Sequence, residues 1–159
     1  MPEDAQLPQG LIGPNAILQL LPVLDQATGR EGRDRLLAQA GRRTADYILA
    51  HRIPQPAQRL LKHLPAPVAA WALSRAIATH AWTFAGSGQF HRDSPWRFAI
   101  ANNPLVRGEN SSTPRCHWHA AVFGHLYATL VHPSCRCVET ECAAQTGNGP
   151  CRFTLFRVA

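Results

Sequence analysis

The chain has 159 residues, 45% of them hydrophobic and 16% charged, which places it among globular rather than disordered proteins, with length enough for one core. Its net charge is +6, carried by fifteen arginines and the single lysine Lys62. The arginines are scattered, with only short pairs such as Arg42-Arg43, and no basic stripe interleaved with aromatics marks a nucleic-acid surface. An electropositive surface suits an acidic small molecule or an acidic protein partner instead. No apolar run of about 18 residues is present, so no membrane-spanning helix is expected. Met1-Pro2-Glu3-Asp4 does not open a signal peptide, and the cytoplasm is the expected compartment.

In chain order, residues 1–10 read as a loose polar lead-in, and residues 11–159 as a single domain. Pro14 suits a first helical turn, and Ile17, Leu18, Leu20, Leu21 and Leu24 follow at helical spacing, with Pro22 expected to kink or interrupt the helix. A second helix is expected over about 30–50. Leu36, Leu37, Ala40, Thr44, Tyr47 and Ile48 form its packed face, and Arg33, Arg35, Arg42 and Arg43 its polar one. After Ile53-Pro54-Gln55-Pro56, a short helix near 57–63 leads to Pro65 and Pro67, which open a third helix through Trp82. That helix is apolar nearly all round, as a buried helix or one lining an apolar pocket would be.

The periodicity then changes. Residues 83–84, 96–101, 136–141 and 152–158 read as strands, separated by Gly, Pro and Asn clusters. A fourth helix is expected over about 116–131, with Val122, Phe123, Leu126, Tyr127 and Leu130 as its packed stripe. A helical first half and a strand-rich second half with one helix define an α+β fold: N-terminal helices packed on a small antiparallel sheet.

Five cysteines is an odd number, so a framework of disulfides alone leaves one over. Cys116, Glu139, Cys142 and Cys151 make a four-coordinate donor set suited to structural zinc. Glu139 and Cys142 are three apart and would face opposite sides of a regular strand, so a turn or bulge near Thr140-Glu141 is required. Gln145-Thr146-Gly147-Asn148-Gly149-Pro150 is a turn signal able to return Cys151 beside Cys142. The bland alternative is that these are ordinary buried cysteines packing as small hydrophobes. Cys135 and Cys137 stand close by; they read as spectators, and a site using Cys137 in place of Glu139 would change one ligand.

His80, His91, His117, His119, His125 and His132 cluster in the strand-bearing half. A neutral imidazole could ligate the magnesium of a tetrapyrrole, although most such histidines are surface groups, and His117 and His119 could support the metal ligands. Gly86-Ser87-Gly88 lacks the spacing of a dinucleotide fingerprint and reads as a hairpin turn. No P-loop, no G-x-S-x-G elbow and no C-x-x-C pair is present, so no motif names a nicotinamide, flavin or iron–sulfur site.

The run Val138-Glu139-Thr140-Glu141-Cys142, a glycine-rich turn, and Pro150-Cys151-Arg152-Phe153 resembles the C-terminal signature of the 4-vinyl reductase domain family. That signature is E-x-x-C, a short Gly-containing gap and C-R-F, with a further Cys upstream, where Cys116 stands. The resemblance is strongest to the bacteriochlorophyll-biosynthesis branch. It is supported by Ile12-Gly13-Pro14-Asn15-Ala16-Ile17, Ala40-Gly41-Arg42-Arg43-Thr44-Ala45-Asp46-Tyr47, His80-Ala81-Trp82-Thr83-Phe84-Ala85-Gly86-Ser87-Gly88 and Asn102-Asn103-Pro104-Leu105. It covers roughly residues 11–157, and against that branch the chain is short of helical sequence between about 28 and 32.

The resemblance implies a structural zinc held by Cys116, Glu139, Cys142 and Cys151, and binding of a magnesium tetrapyrrole whose processing or transfer the protein assists. It also implies two alternatives. One is reduction of the vinyl group of a divinyl chlorophyllide precursor with NADPH; the other is a small-molecule sensor role. Candidate ligand-binding aromatics are Trp71, Trp82, Phe84 and Trp96, and the same four are candidates for plain core. Enzymes of the bacteriochlorophyll pathway are implied partners, and the fold resemblance implies a homodimer through helices.

Overall fold

The computed structural model describes residues 14–80 and 88–159. Helix α1 spans Pro14–His51, α2 Gln55–His63 and α3 Ala66–His80. Strands β1 (Gln89–Ser94) and β2 (Arg97–Ala101) follow, then a single 3-10 turn at Pro104–Val106. Helix α4 (His117–Leu130), β3 (Cys135–Glu141), the one-turn α5 (Ala143–Thr146) and β4 (Cys151–Arg157) complete the chain. The four strands form one antiparallel sheet in the order β1-β2-β4-β3. The α+β class and the small antiparallel sheet are as the sequence implies.

Helix α4 lies between the layers. It packs on α1 on one side and on β3 and β4 on the other. Its stripe Val122, Phe123, Leu126, Tyr127 and Leu130 is completely buried, as its spacing requires. Phe123 meets Phe98 of β2 at 5.1 Å and Phe153 of β4 at 5.4 Å between ring centroids, both edge-on. Edge-to-face pairs of this kind add about 0.5–1.5 kcal/mol each beyond the area they bury.

Three local readings change. Pro22 stands inside helical backbone without interrupting it, and the break comes at Gly29 (φ 69°, ψ 172°), next to the expected start of the second helix at about 30, so that α1 is two helical stretches joined there. A positive φ costs glycine nothing, whereas Pro22 removes one hydrogen bond from a turn near the start of the helix. The packed face of α1 is also rotated from the expected one. Leu37, Gly41, Ala45 and Ile48 are buried, while Leu36 and Tyr47 are more than 40% exposed. Gly41 explains the rotation. A Cβ there would run into the Trp118 carbonyl oxygen of α4, so the two helix backbones meet where there is no side chain. Arg33, assigned to the polar face, is 2% exposed.

Strand β1 departs from expectation. Its sequence, Gln-Phe-His-Arg-Asp-Ser, has weak strand propensity, and pairing with β2 from Gln89–Ala101 to Ser94–Arg97 creates it. Phe90 faces inward onto Phe98 and Phe123, and the other side chains are polar, as suits an edge strand. The expected strand at 83–84 and the end of the third helix at Trp82 lie outside the described residues. Helix α3 is one-sided, with Ala69, Ala70, Leu73, Ser74 and Ile77 buried and Val68 and Trp71 about half exposed.

Candidate metal centre

Four elements bring the donor set together. Cys116 is the residue on which α4 begins, Glu139 lies in β3, Cys142 sits at the start of α5, and Cys151 opens β4. The β3–β4 register slips between Glu139 and Glu141, which pair with the adjacent residues Phe153 and Arg152. This bulge at Thr140 is the irregularity that the three-residue spacing demands. Beyond Cys142, α5 ends on Gly147 (φ 74°), and Gly149 (φ 104°) completes the reversal, so both glycines hold positive φ where the chain must return Cys151.

The ligand atoms of Cys116, Glu139, Cys142 and Cys151 all lie within 4.8 Å of one another. The three cysteines are fully buried, and none is in a disulfide. The sulfurs of Cys116 and Cys151 are 3.4 Å apart, far beyond a covalent S–S bond and close to the roughly 3.8 Å that two zinc–sulfur bonds at the tetrahedral angle give. Oε2 of Glu139 accepts the Cys116 backbone N–H at 2.8 Å. Oε1 is buried with no hydrogen-bond partner, an orphaned acceptor beside three sulfurs. An unsatisfied buried carboxylate oxygen is costly, and a cation among the sulfurs would satisfy it. Among the described residues, Cys135 and Cys137 are not part of the group.

The acidities fit a closely packed anionic set. Hydrogen bonding to Cys142 and Cys151, with burial, raises the Cys116 thiol well above its ordinary value. Hydrogen bonds from Cys116 and Cys151 lower that of Cys142. At Cys151 the contact with Cys116 favours the thiolate, but Cys142 and burial push the thiol up to about 12. Burial pushes the Glu139 carboxyl up to about 7, against the Cys116 hydrogen bond that lowers it. Such a set wants a cation rather than four separate negative charges.

Beside this centre lies an ionic cluster that sequence periodicity missed. Arg33 of α1 pairs with Asp25 at 2.6 Å and with Glu109. Arg115, 3% exposed, pairs with Asp34 at 3.0 Å, Glu109 at 3.4 Å and Asp25 at 3.6 Å. Arg115 directly precedes Cys116 in the chain, so its pairing with Asp34 ties α1 to the metal-type site. Asp25, Arg30, Arg33, Glu109 and Arg115 line part of a half-open cavity of about 240 Å³. The carboxylates of α1 were the available signal, since an arginine amid acids on one helix can be buried only when paired.

The histidines separate. His117 meets Asp34 at 3.3 Å and His125 meets Asp46 at 2.7 Å, while His132 bonds Ser134 at 2.8 Å. His119 is 1% exposed among the rings of Trp118, Phe123 and Phe153, with Nδ1 unpartnered. Burial lowers its pKa to about 3, so it is a neutral core imidazole at physiological pH.

Of the candidate ligand-binding aromatics, Trp71 is half exposed on α3 with Arg75 5.2 Å over its ring. Trp96 packs partly buried on Tyr127, at 5.7 Å between ring centroids. Trp82 and Phe84 lie outside the described residues. Among the described residues, no helix is long and apolar enough to cross a membrane.

A helical layer over a four-stranded antiparallel sheet, with three thiols and a carboxylate gathered where α4 and β4 begin, defines an α+β domain with a Cys₃Glu metal-type centre. Residues 96–156, which contain all four donors, match the 4-vinyl reductase (V-4-R) domain, and the chain belongs to that family. It is 45% identical to the bacteriochlorophyll synthase 23 kDa chain of Cereibacter sphaeroides, over 91% of this chain and 90% of that one. The bacteriochlorophyll synthase 23 kDa chain of Rhodobacter capsulatus is 40% identical, over 91% of this chain and 86% of that one. The first alignment spans 186 positions against 159 residues here, a difference of 27, so at least that many positions of the relative have no counterpart in this chain.

Proposed function

We propose that this chain is a zinc-containing protein of bacteriochlorophyll biosynthesis that binds a magnesium tetrapyrrole and assists its processing or its transfer to a pathway enzyme. The observation that carries the pathway is the end-to-end similarity to the two bacteriochlorophyll synthase 23 kDa chains. The observation that supports the metal is the buried Cys116/Glu139/Cys142/Cys151 group with its orphaned carboxylate oxygen. Zinc suits three sulfurs and one carboxylate, and a closed four-ligand set gives a folding role rather than an open catalytic position. Bound there, the ion would fasten the start of α4 to β3, α5 and β4.

The pigment surface is supported by the outer side of α3, where Val68 and Trp71 stand half out of the fold beside Arg75. A flat macrocycle can stack on an exposed indole, and an arginine can pair with a propionate carboxylate. An anaerobic absorption titration of the zinc-loaded protein with a divinyl chlorophyllide precursor tests this reading. The expected result is a saturable band shift with both vinyl groups intact after NADPH is added. Conversion to the monovinyl pigment by the protein alone would make it a reductase, and no shift would remove the pigment from the reading.

A further inference from the structure

The pair Asn102-Asn103 has no role so far, and its geometry is specific. Asn103 is 4% exposed, and its amide is held at both ends. Its oxygen accepts the Leu105 backbone N–H at 3.1 Å, capping the 3-10 turn, and its nitrogen lies 3.1 Å from the sulfur of Cys116. The Leu105 N–H needs an acceptor, so the amide oxygen must face it and the NH₂ group must face the sulfur. The backbone is bent to deliver this group. Asn102 sits at φ 53°, a left-handed conformation that asparagine tolerates better than most residues, and Pro104 fixes the turn that follows.

Of the other two sulfurs, that of Cys151 takes a backbone N–H, from Ala143 at 3.5 Å. Cys116, at the head of α4, takes its bond from a side chain. Three thiolates and a carboxylate around a divalent ion leave two negative charges in a buried site. N–H donors to sulfur are what spread that charge.

We infer that Asn103 is a positioning residue of the metal centre, orienting the Cys116 thiolate and drawing charge from it by an N–H···S hydrogen bond. The inference rests on the metal reading above. Its competitor is a purely local role, in which Asn103 only caps the turn.

Substitution separates the two, because Asn103→Ser and Asn103→Asp both keep an oxygen able to cap a turn while losing the amide donor. The probes are the thiolate-to-cobalt charge-transfer band of the Co²⁺-substituted protein and zinc affinity by competition with a chromophoric chelator. Asn103→Ser should move the band to lower energy and weaken zinc about 10–100-fold, the usual effect of losing an outer partner of a metal ligand, and Asn103→Asp should weaken it further. Leu73→Ala, in the α3 face of the core, should lower the melting temperature and leave the band in place. Both Asn103 variants keeping the wild-type band and zinc affinity within about twofold would overturn the inference. A wild-type chain that takes up neither Co²⁺ nor Zn²⁺ at one equivalent would overturn the metal reading itself, and that failure is visible without any variant.

Discussion

The Cys116 backbone N–H and the Glu139 carboxylate are joined at 2.8 Å across 23 residues, linking the head of α4 to β3. One carboxylate oxygen serves the helix and the other is buried with no hydrogen-bond partner. Cys142→Ser and Cys151→Ser should each release zinc and lower stability, since loss of one ligand undermines the whole site. For a domain of this size, each kcal/mol lost lowers the melting temperature by about 2–4 °C. Acid should release the metal too. The Cys151 thiol, pushed up to about 12, already competes with the metal at neutral pH, and the Glu139 carboxyl, at about 7 without metal, takes up a further proton as the pH falls through that value, so zinc affinity should fall more steeply below it. Full zinc content in either variant, with unchanged melting, would refute the ligand set.

His119 should make the fold acid-sensitive. Its pKa is ordinary, near 6.5, in the unfolded chain and about 3 in the fold. The unfolded state therefore takes up a proton first, and stability present above pH 6.5 is lost as the pH falls toward 3. The loss is at most about 1.4 kcal/mol per pH unit. His119→Phe keeps an aromatic ring among Trp118, Phe123 and Phe153 and should stay within about 1.5 kcal/mol of wild type at pH 7. Its urea midpoint should then fall less than that of wild type between pH 6.5 and 4; equal slopes would count against this role.

Gly41→Ala tests the approach of α1 to α4. The new methyl would meet the Trp118 carbonyl and, at 2.9 Å, the Ala121 Cβ, and neither can swing away. Destabilisation of about 1–3 kcal/mol is expected, against the gain in helix propensity that alanine brings at an unhindered site. A stabilised variant in thermal melting would show that the helices are further apart.

Trp71→Ala separates surface from core. With Trp71 half exposed, its truncation should cost well under the about 3–5 kcal/mol expected of a core tryptophan, and should weaken pigment binding in the titration described above. A core-sized loss of stability with unchanged binding would move Trp71 out of the proposed pigment surface.

The local part of the cysteine–glutamate group was legible in the sequence because it obeys short-range rules, while the place of Cys116 in it came from the family resemblance. Glu139 and Cys142 need a bulge, the Gly147 and Gly149 reversal returns Cys151, and the stripe of α4 follows helical spacing. Those conditions are local, and the structure meets each of them. Tertiary pairing decided what periodicity could not weigh. The edge strand β1 exists because β2 offers it hydrogen bonds, and the buried face of α1 turns about Gly41, which has no side chain to register as apolar. Arg33 and Arg115 are buried because Asp25 and Asp34 of α1 and Glu109 of the segment before α4 meet around them. Hydrophobic patterns record what one segment prefers against water, whereas backbone approach, strand pairing and charge compensation depend on a second segment that only the folded chain brings near.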